Sequence, residues 1–412
     1  MNWKTSNSST TTKSAAQANH LDAVTVHFFN SARKVPDEAW ELLPEQSVEG
    51  RWWYDVLEKS NLKSQFKFWY AVLRVNGEAQ ILAPLFLMNV PIAVILPDWL
   101  GAPLNFVSAA IPHAFSVRSL FIGSPCADEG VLGVKREADL PALMFHLNLA
   151  LKNFARVNSA DMIIWKDFRD HLSELKSLCK QQQFFPMTSF PGSSKKFDAS
   201  VNSLDAYLAI LDSARRKRLR KKLSTSHQQG DLTEEVIQNP DERVLAKLFE
   251  LFNQTYQKGK TKFERLDVSF FRQVAKASPA WWVILRDPET ADPVAFNLCF
   301  RVGNVVIQKF IGLNYHLDKD WFLYFRLWES SMNWALSVGA TEIQCGQTGY
   351  SAKLEVGYTI FPLTNFCRHT NPLVNKLCAS FAKRITWSTL DNDLAVYLEA
   401  HPEMLPQSRV TA

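Results

Sequence analysis

Thr341-Glu342-Ile343-Gln344-Cys345-Gly346-Gln347-Thr348-Gly349-Tyr350-Ser351-Ala352-Lys353-Leu354-Glu355-Val356-Gly357-Tyr358 is the stretch around which the rest of the chain is organised. It opens as a short alternating strand, with Ile343 and Cys345 on one face and Glu342 and Gln344 on the other. Glycines in a polar run then break the alternation, and Gly357 closes the segment. A strand that opens into a Gly-containing polar loop is a common way to hold side chains over a cleft, because glycine lets the backbone turn while the strand stays fixed. The loop offers the Gln347 amide, the Tyr350 phenol and the Lys353 amine within a few residues. The competing reading is an ordinary exposed loop.

Upstream, Trp321, Tyr324, Phe325, Trp328, Met332 and Leu336 mark a long helix that Gly339 stops. Before it, Trp281–Arg286, Val294–Arg301 and Val305–Leu313 form a three-stranded meander, with turns at Asp287-Pro288 and Gly303-Asn304. Helices from about Glu242 (Leu245, Leu248, Phe252, Tyr256) and Asp267 (Phe270, Phe271, Val274) precede the meander.

The first half repeats this order. Short helices at Pro36–Leu43 and Trp52–Lys59 lead to apolar strands at Phe66–Leu73 and Ala79–Leu87, joined through Asn76-Gly77, the strongest short-range hairpin signal. The stretch Pro91–Gly133 is loop-rich, and Cys126 within it reads as part of a structural turn. A helix from Asp139, with Pro141 in its first turn and Leu143, Leu147, Leu151 and Phe154 on one face, precedes a strand at Asp161–Trp165. The pattern predicts an α+β protein of two tandem halves, each a mostly antiparallel mixed sheet flanked by helices. The predicted borders are a disordered tail at 1–19, an N-terminal half at 20–200, a C-terminal half at 201–370 and a helical extension at 371–412 that braces the core.

Size and composition agree with two domains. The chain has 412 residues, of which 47% are hydrophobic and 21% charged, and its 28 Phe and 13 Trp predict a strongly aromatic core. The six cysteines lie far apart, with no CxxC or Cys/His spacing. This argues against a metal site or a disulfide framework and points to a reducing, cytoplasmic setting. The uncharged run Ala79–Pro97 is long enough to suggest a membrane span, but Pro84, Pro91 and Pro97 interrupt it, so sheet and loops are expected and no integral membrane segment.

Between the halves lies Ser213-Ala214-Arg215-Arg216-Lys217-Arg218-Leu219-Arg220-Lys221-Lys222-Leu223. Leu219 and Leu223 sit four apart, as on a helix pinned by a narrow apolar edge and otherwise basic. Such density favours a polyanion, with Arg215 and Arg216 as binding residues. The alternative is a solvated helix partly neutralised by Asp231, Glu234 and Glu235.

The basic helix, the helix ending Thr255-Tyr256, the meander, Gly312-Leu313-Asn314-Tyr315, the long helix and the Tyr350…Lys353…Gly357 element together resemble the acetyltransferase-like (GNAT) domain of bacterial cellulose-biosynthesis and envelope proteins. The tandem arrangement is similar to the Fem-type aminoacyltransferases of peptidoglycan assembly. The resemblance implies two GNAT-like halves and transfer of an acyl or aminoacyl group from an activated donor to an amine or glycan-precursor acceptor, without a tightly bound cofactor. Where acetyl-CoA users carry a glycine-rich phosphate loop, this chain reads Leu317-Asp318-Lys319-Asp320-Trp321. That sequence opposes ordinary acyl-CoA and raises an aminoacyl-tRNA or an acyl carrier protein as donor. Lys353 is then the group that stabilises a carbonyl oxygen or phosphate, Tyr350 a proton donor and Gln347 an orienting amide, with Glu355 a weaker candidate base. Asn297, Lys309 and Tyr315 are expected to line the cleft. The alternative function is a non-catalytic binding or accessory protein that recognises an anionic precursor.

Overall fold

Asn76-Gly77 shapes the first sheet. In the computed structural model, which describes residues 23–401 apart from 46, 92–115, 170–172, 199, 260–263 and 318, Asn76 and Gly77 have φ of 50° and 86°. Two successive positive φ values make the type I′ turn that suits the twist of a hairpin. β1 (Val24–Phe29) is followed by α1 (Asp37–Trp40) and α2 (Arg51–Lys59), and the hairpin then joins β2 (Lys67–Val75) to β3 (Glu78–Pro91). β3 takes up the Ala79–Pro97 run as far as Pro91, and residues 92–97 lie outside the described residues. No described helix is long and apolar enough to cross a membrane. β4 (Ser116–Ile122) pairs antiparallel with β3, as does the short β5 (Gly133–Val134). α3 (Leu140–Val157) begins where the Asp139 carboxylate accepts the Ala142 N–H, and it buries Leu143, Leu147 and Leu151 over the sheet. β6 (Met162–Arg169) then returns parallel to β4, and α4 (Ser173–Gln181) and β7 (Phe185–Thr188) follow. Cys126 is buried.

The second sheet is built in the same sequence. β8 (Gly192–Lys196), α5 (Leu204–Ala209) and the basic α6 (Ser213–Gln229) lead to β9 (Thr233–Ile237), α7 (Glu242–Lys258) and α8 (Val268–Ala275). β10 (Ala280–Arg286), β11 (Pro293–Val302) and β12 (Val305–Leu313) form the expected meander. α9 (Leu323–Ser337) carries the chain to β13 (Glu342–Gln344), parallel to β12. α10 (Tyr350–Glu355) and β14 (Thr359–Phe361) follow. The chain ends through β15 (Leu363–His369), α11 (Pro372–Ala382), α12 (Trp387–Leu390) and α13 (Asn392–Ala400).

The strand orders are β1-β2-β3-β4-β6-β15-β7 and β9-β10-β11-β12-β13-β8-β14. Position by position they correspond: four consecutive antiparallel strands, a helical crossover to a parallel fifth, a guest strand, and a last strand. The guest in each sheet comes from the other part of the sequence. The compact units accordingly comprise residues 1–58, 63–188 and 364–384 in one case and 59–62, 189–363 and 385–412 in the other, whereas the expected borders fall at 200 and 370. The protein is thus α+β, with two mostly antiparallel mixed sheets flanked by helices.

Two expectations are corrected here. Residues 346–357 are not all loop: Gly349 (φ 63°) turns the chain and Tyr-Ser-Ala-Lys-Leu-Glu winds into α10, which Gly357 (φ 93°) ends. The apolar stretch Leu373–Trp387 does not brace a core along its whole length either. Leu373 and Leu377 on α11 are 77% and 58% exposed, while Trp387 packs with Leu394, Leu398, Ile360 and Tyr350.

Candidate active site

β12 and β13 are joined over three residues only, Val305–Ile307 with Glu342–Gln344. β12 then runs on to Leu313, while the Cys345 N–H donates to the Ser193 carbonyl of β8. The register explains the parting. Against β11, Cys299 faces Gln308 and Leu298 faces Phe310, so Lys309 is the extra residue of a bulge. A bulge bends its strand and breaks the ladder, and this one lies just beyond the last residue paired with β13. A gap at the carboxyl ends of parallel strands is a favoured ligand position in α/β sheets.

One wall of the gap is the turn 346–350, clasped to the segment before β8. The Lys353 Nζ donates to the carbonyls of Gly346 and Gln347, both at 3.0 Å, and the Ser193 hydroxyl donates to the Gly346 carbonyl at 2.8 Å. The Gln347 amide donates to the Phe190 carbonyl (3.0 Å) and the Tyr350 hydroxyl to that of Pro191 (2.9 Å). Lys353 is 7% exposed and Tyr350 is fully buried. The three residues are therefore brought together on one turn, but as a buried clasp and not as an open loop. Glu355 is turned to the basic helix, where it accepts from Lys222 at 2.6 Å.

The other wall is the face of β11 and β12 beneath α9. Gln308, the first β12 residue past the paired stretch, accepts from the buried Tyr358 hydroxyl at 3.2 Å, and its Nε2 is buried without a hydrogen-bond partner. Asn297 donates to the Ser331 hydroxyl at 3.1 Å, and its carbonyl oxygen is likewise unsatisfied. Burial pushes the Tyr358 and Tyr324 phenols and the Cys299 thiol well above their ordinary pKa values, with the nearby Cys345 thiol adding to each shift. These groups therefore stay protonated near neutrality. Lys309 stands at the bulge, its Nζ 5.6 Å from the Phe310 ring centroid. Tyr315 lies past the end of β12, with the Lys258 Nζ 3.7 Å from its ring centroid. Gln308 and Tyr358 escape the sequence reading. For Gln308 the available signal is a lone polar residue inside an apolar strand (Val-Val-Ile-Gln).

α9 begins at a turn where Phe322 takes a left-handed φ of 40°, and among the described residues no side chain caps its first amides. Asp320 does not cap it, and residue 318 lies outside the described residues. The basic helix packs beside this turn. The Lys222 Nζ is 4.2 Å from the Phe325 ring centroid, and the Ser226 hydroxyl donates to the Trp321 carbonyl. Leu219 and Leu223 pin α6 as expected, but its acidic partners are not Asp231, Glu234 and Glu235. Arg215 lies 3.5 Å from Asp212 and Arg220 lies 3.3 Å from Asp205, while Glu235 is taken by Arg286. Arg216 donates to the Ala209 carbonyl. Lys217, Arg218 and Lys221 remain exposed. No cluster suited to a metal ion is present among the described residues.

A protein-family profile, FemAB-like, described as peptidoglycan biosynthesis and recognition, matches residues 166–402. That is more than half of the chain and includes every wall of the gap. The chain belongs to the FemAB-like family. No curated protein matches this FemAB-like chain. Among solved structures, FemX is similar at 13% identity, covering 80% of this chain and 93% of that one with a TM-score of 0.48. The L-PGS structure from Bacillus licheniformis aligns at 12% identity, over 79% and 94% of the two chains, with a TM-score of 0.47. A tandem GNAT protein from the clavulanic acid biosynthesis pathway aligns at 10% identity, over 84% and 99%, also with a TM-score of 0.47.

Proposed function

We propose that this protein is an N-acyltransferase that moves an acyl or aminoacyl group from an activated donor to an amine, with the reacting carbonyl held in the gap between β12 and β13. What supports the reading is the short β12–β13 pairing, followed directly by the turn whose carbonyls hold the Lys353 amine, in a chain of the FemAB-like family. Attack of an amine on an ester or thioester puts negative charge on the carbonyl oxygen, and a fixed, largely dehydrated positive group beside it lowers that barrier most. Lys353 takes this role. Gln347 and Tyr350 position it through the clasp with residues 190–191, since both spend a side-chain donor there. The amine that attacks forms the C–N bond, the donor's oxygen or sulfur leaves with the electron pair, and one proton passes from the amine to the leaving group or to water.

The start of α9 and the exposed Lys217 and Lys221 of α6 supply a positive surface for an anionic donor or acceptor, with Arg215 and Arg216 fixing the helix N-terminal turn. Aminoacyl-tRNA, an acyl carrier protein and acyl-CoA all meet that description, and a peptidoglycan-type precursor is the acceptor class that the family description favours. The test is a transfer assay with each donor and a set of amine acceptors, read by mass spectrometry. Turnover with one donor that falls at least about 100-fold in Lys353→Met, with donor affinity kept, supports the reading. Absence of transfer with every donor, or full activity in Lys353→Met, rejects it.

A further inference from the structure

The helix that follows β15 is anchored through a buried asparagine and turns an apolar row to solvent. Asn371 caps α11 by accepting the N–H groups of Leu373 and Val374, with Pro372 in the first turn. On the inner face the Asn375 side chain donates to the Gln183 carbonyl at 2.9 Å and accepts the His369 N–H at 2.8 Å. Ala382, two helical turns on, is buried on the same side. The helical period then puts Leu373, Leu377 and Phe381 in one row on the opposite face, with Val374 beside it. Leu373 is 77% exposed, Leu377 58% and Val374 36%, and Phe381 is half-buried. Lys376 and Lys383, also two turns apart, run along one edge of the row. Arg384 continues it past the helix end, its guanidinium 5.7 Å from the Phe381 ring centroid. All three cations are exposed. The surrounding sequence is free of acid: no Asp or Glu occurs between Glu355 and Asp391, although the chain has 41 of them.

We infer that this face of α11 docks on an anionic membrane surface, with the leucine row in the acyl boundary and the cations among the lipid phosphates. Such a surface takes up a helix with an apolar row and a basic border, because each buried apolar group and each cation near the phosphates adds to adsorption. The helix lies on the bilayer and does not cross it, since its 11 residues reach only about 16 Å against a hydrocarbon core of about 30 Å. A second copy of the chain fits the face less well. A stable protein contact covers roughly 800 Å² a side, more than one short helix offers, and pairing two such faces would bring like charges together. The inference concerns where the chain works, and it stands or falls independently of acyl transfer at Lys353.

The test is sedimentation of the full-length protein with vesicles of phosphatidylglycerol and, separately, of phosphatidylcholine. The double variant Leu373→Ser/Leu377→Ser removes the row and Lys376→Gln/Lys383→Gln the basic edge. Val396→Ser on α13, at a side chain 67% exposed, is the control. Wild type and control are expected to bind phosphatidylglycerol selectively. Binding should weaken at least about tenfold in the leucine variant, and several-fold in the lysine variant and in high salt. No binding, equal binding to the two lipids, or wild-type affinity in either double variant overturns the inference, the last by assigning adsorption to another surface such as the basic α6. Light scattering of the same samples adds a further check: a dimer that the leucine variant abolishes would make the face a contact between copies and overturn membrane docking. The substituted side chains are all exposed, and matched thermal melts confirm that the variants fold.

Discussion

At the scale of single residues, the site depends on polar groups held away from water. The Tyr358 hydroxyl supports Gln308 at the mouth of the gap, and Gln308 already has one buried donor unsatisfied. Tyr358→Phe leaves the amide oxygen unpaired as well and is expected to cost about 1–3 kcal/mol in chemical denaturation. A second expectation concerns Cys179, whose thiol burial raises to about 11 from 9.0. Between those values the folded chain keeps a proton that the unfolded chain releases. The associated stability is therefore complete below pH 9 and is lost as pH rises towards 11. Alkylation of the native protein at pH 8 should modify Cys179 roughly a hundredfold more slowly than a free thiol, since the thiolate is the nucleophile. Equal rates at native pH contradict the burial. Lys353 draws attention in the sequence because it lies in a short polar run with Tyr350 and Gly357, the spacing that carries the resemblance. Its burial could not, since the carbonyls that hold it belong to a turn whose shape depends on Gly346 and Gly349.

At the scale of elements, the long periodic pieces were readable and the short ones were not. Asn76-Gly77 and the leucine stripe of α3 specify their own geometry, and the structure follows them closely. α10 spans six residues, too few to display a helical period, so the same residues read equally well as loop. The bulge at Lys309 has no local marker at all, because it follows from how β11 and β12 align. Packing of α7 on the bent strand is more accessible to test. A Cβ on Gly312 would stand 2.3 Å from the Phe296 ring and 2.7 Å from the Phe252 nitrogen, so helix and strand must separate. Gly312→Ala is expected to destabilise by about 1–3 kcal/mol. Gly303, which has open space around its Cβ position and φ +61°, should lose only about 1 kcal/mol on the same change, from its left-handed backbone. Matched thermal melts of the two variants decide this, and equal losses would mean that the α7 contact is loose.

At the scale of the whole molecule, the repeated strand order is the main result, and the exchanged strands are what the sequence conceals. β8 reads Gly-Ser-Ser-Lys-Lys, a polar segment with no strand signal, yet it bridges β13 and β14. β15 fills the matching place between β6 and β7. A fragment ending at residue 200 lacks β15 and should not hold a cooperative fold. Joining residues 364–384 to it should restore one, as judged by dispersed amide resonances and a sharp melting transition. A well-folded 23–200 fragment would show the exchanged strand to be dispensable.

In the second sheet β12 and β13 part at a bulge, and the turn whose carbonyls hold the Lys353 amine follows directly on β13. The most direct measurement is a crystal structure of the protein with a stable analogue of its donor bound. The predicted result is density for the acyl or aminoacyl carbonyl between Gln308 and Cys345, within hydrogen-bonding distance of the Lys353 amine. Density for that carbonyl on any other surface, with the gap left to water, would contradict the account.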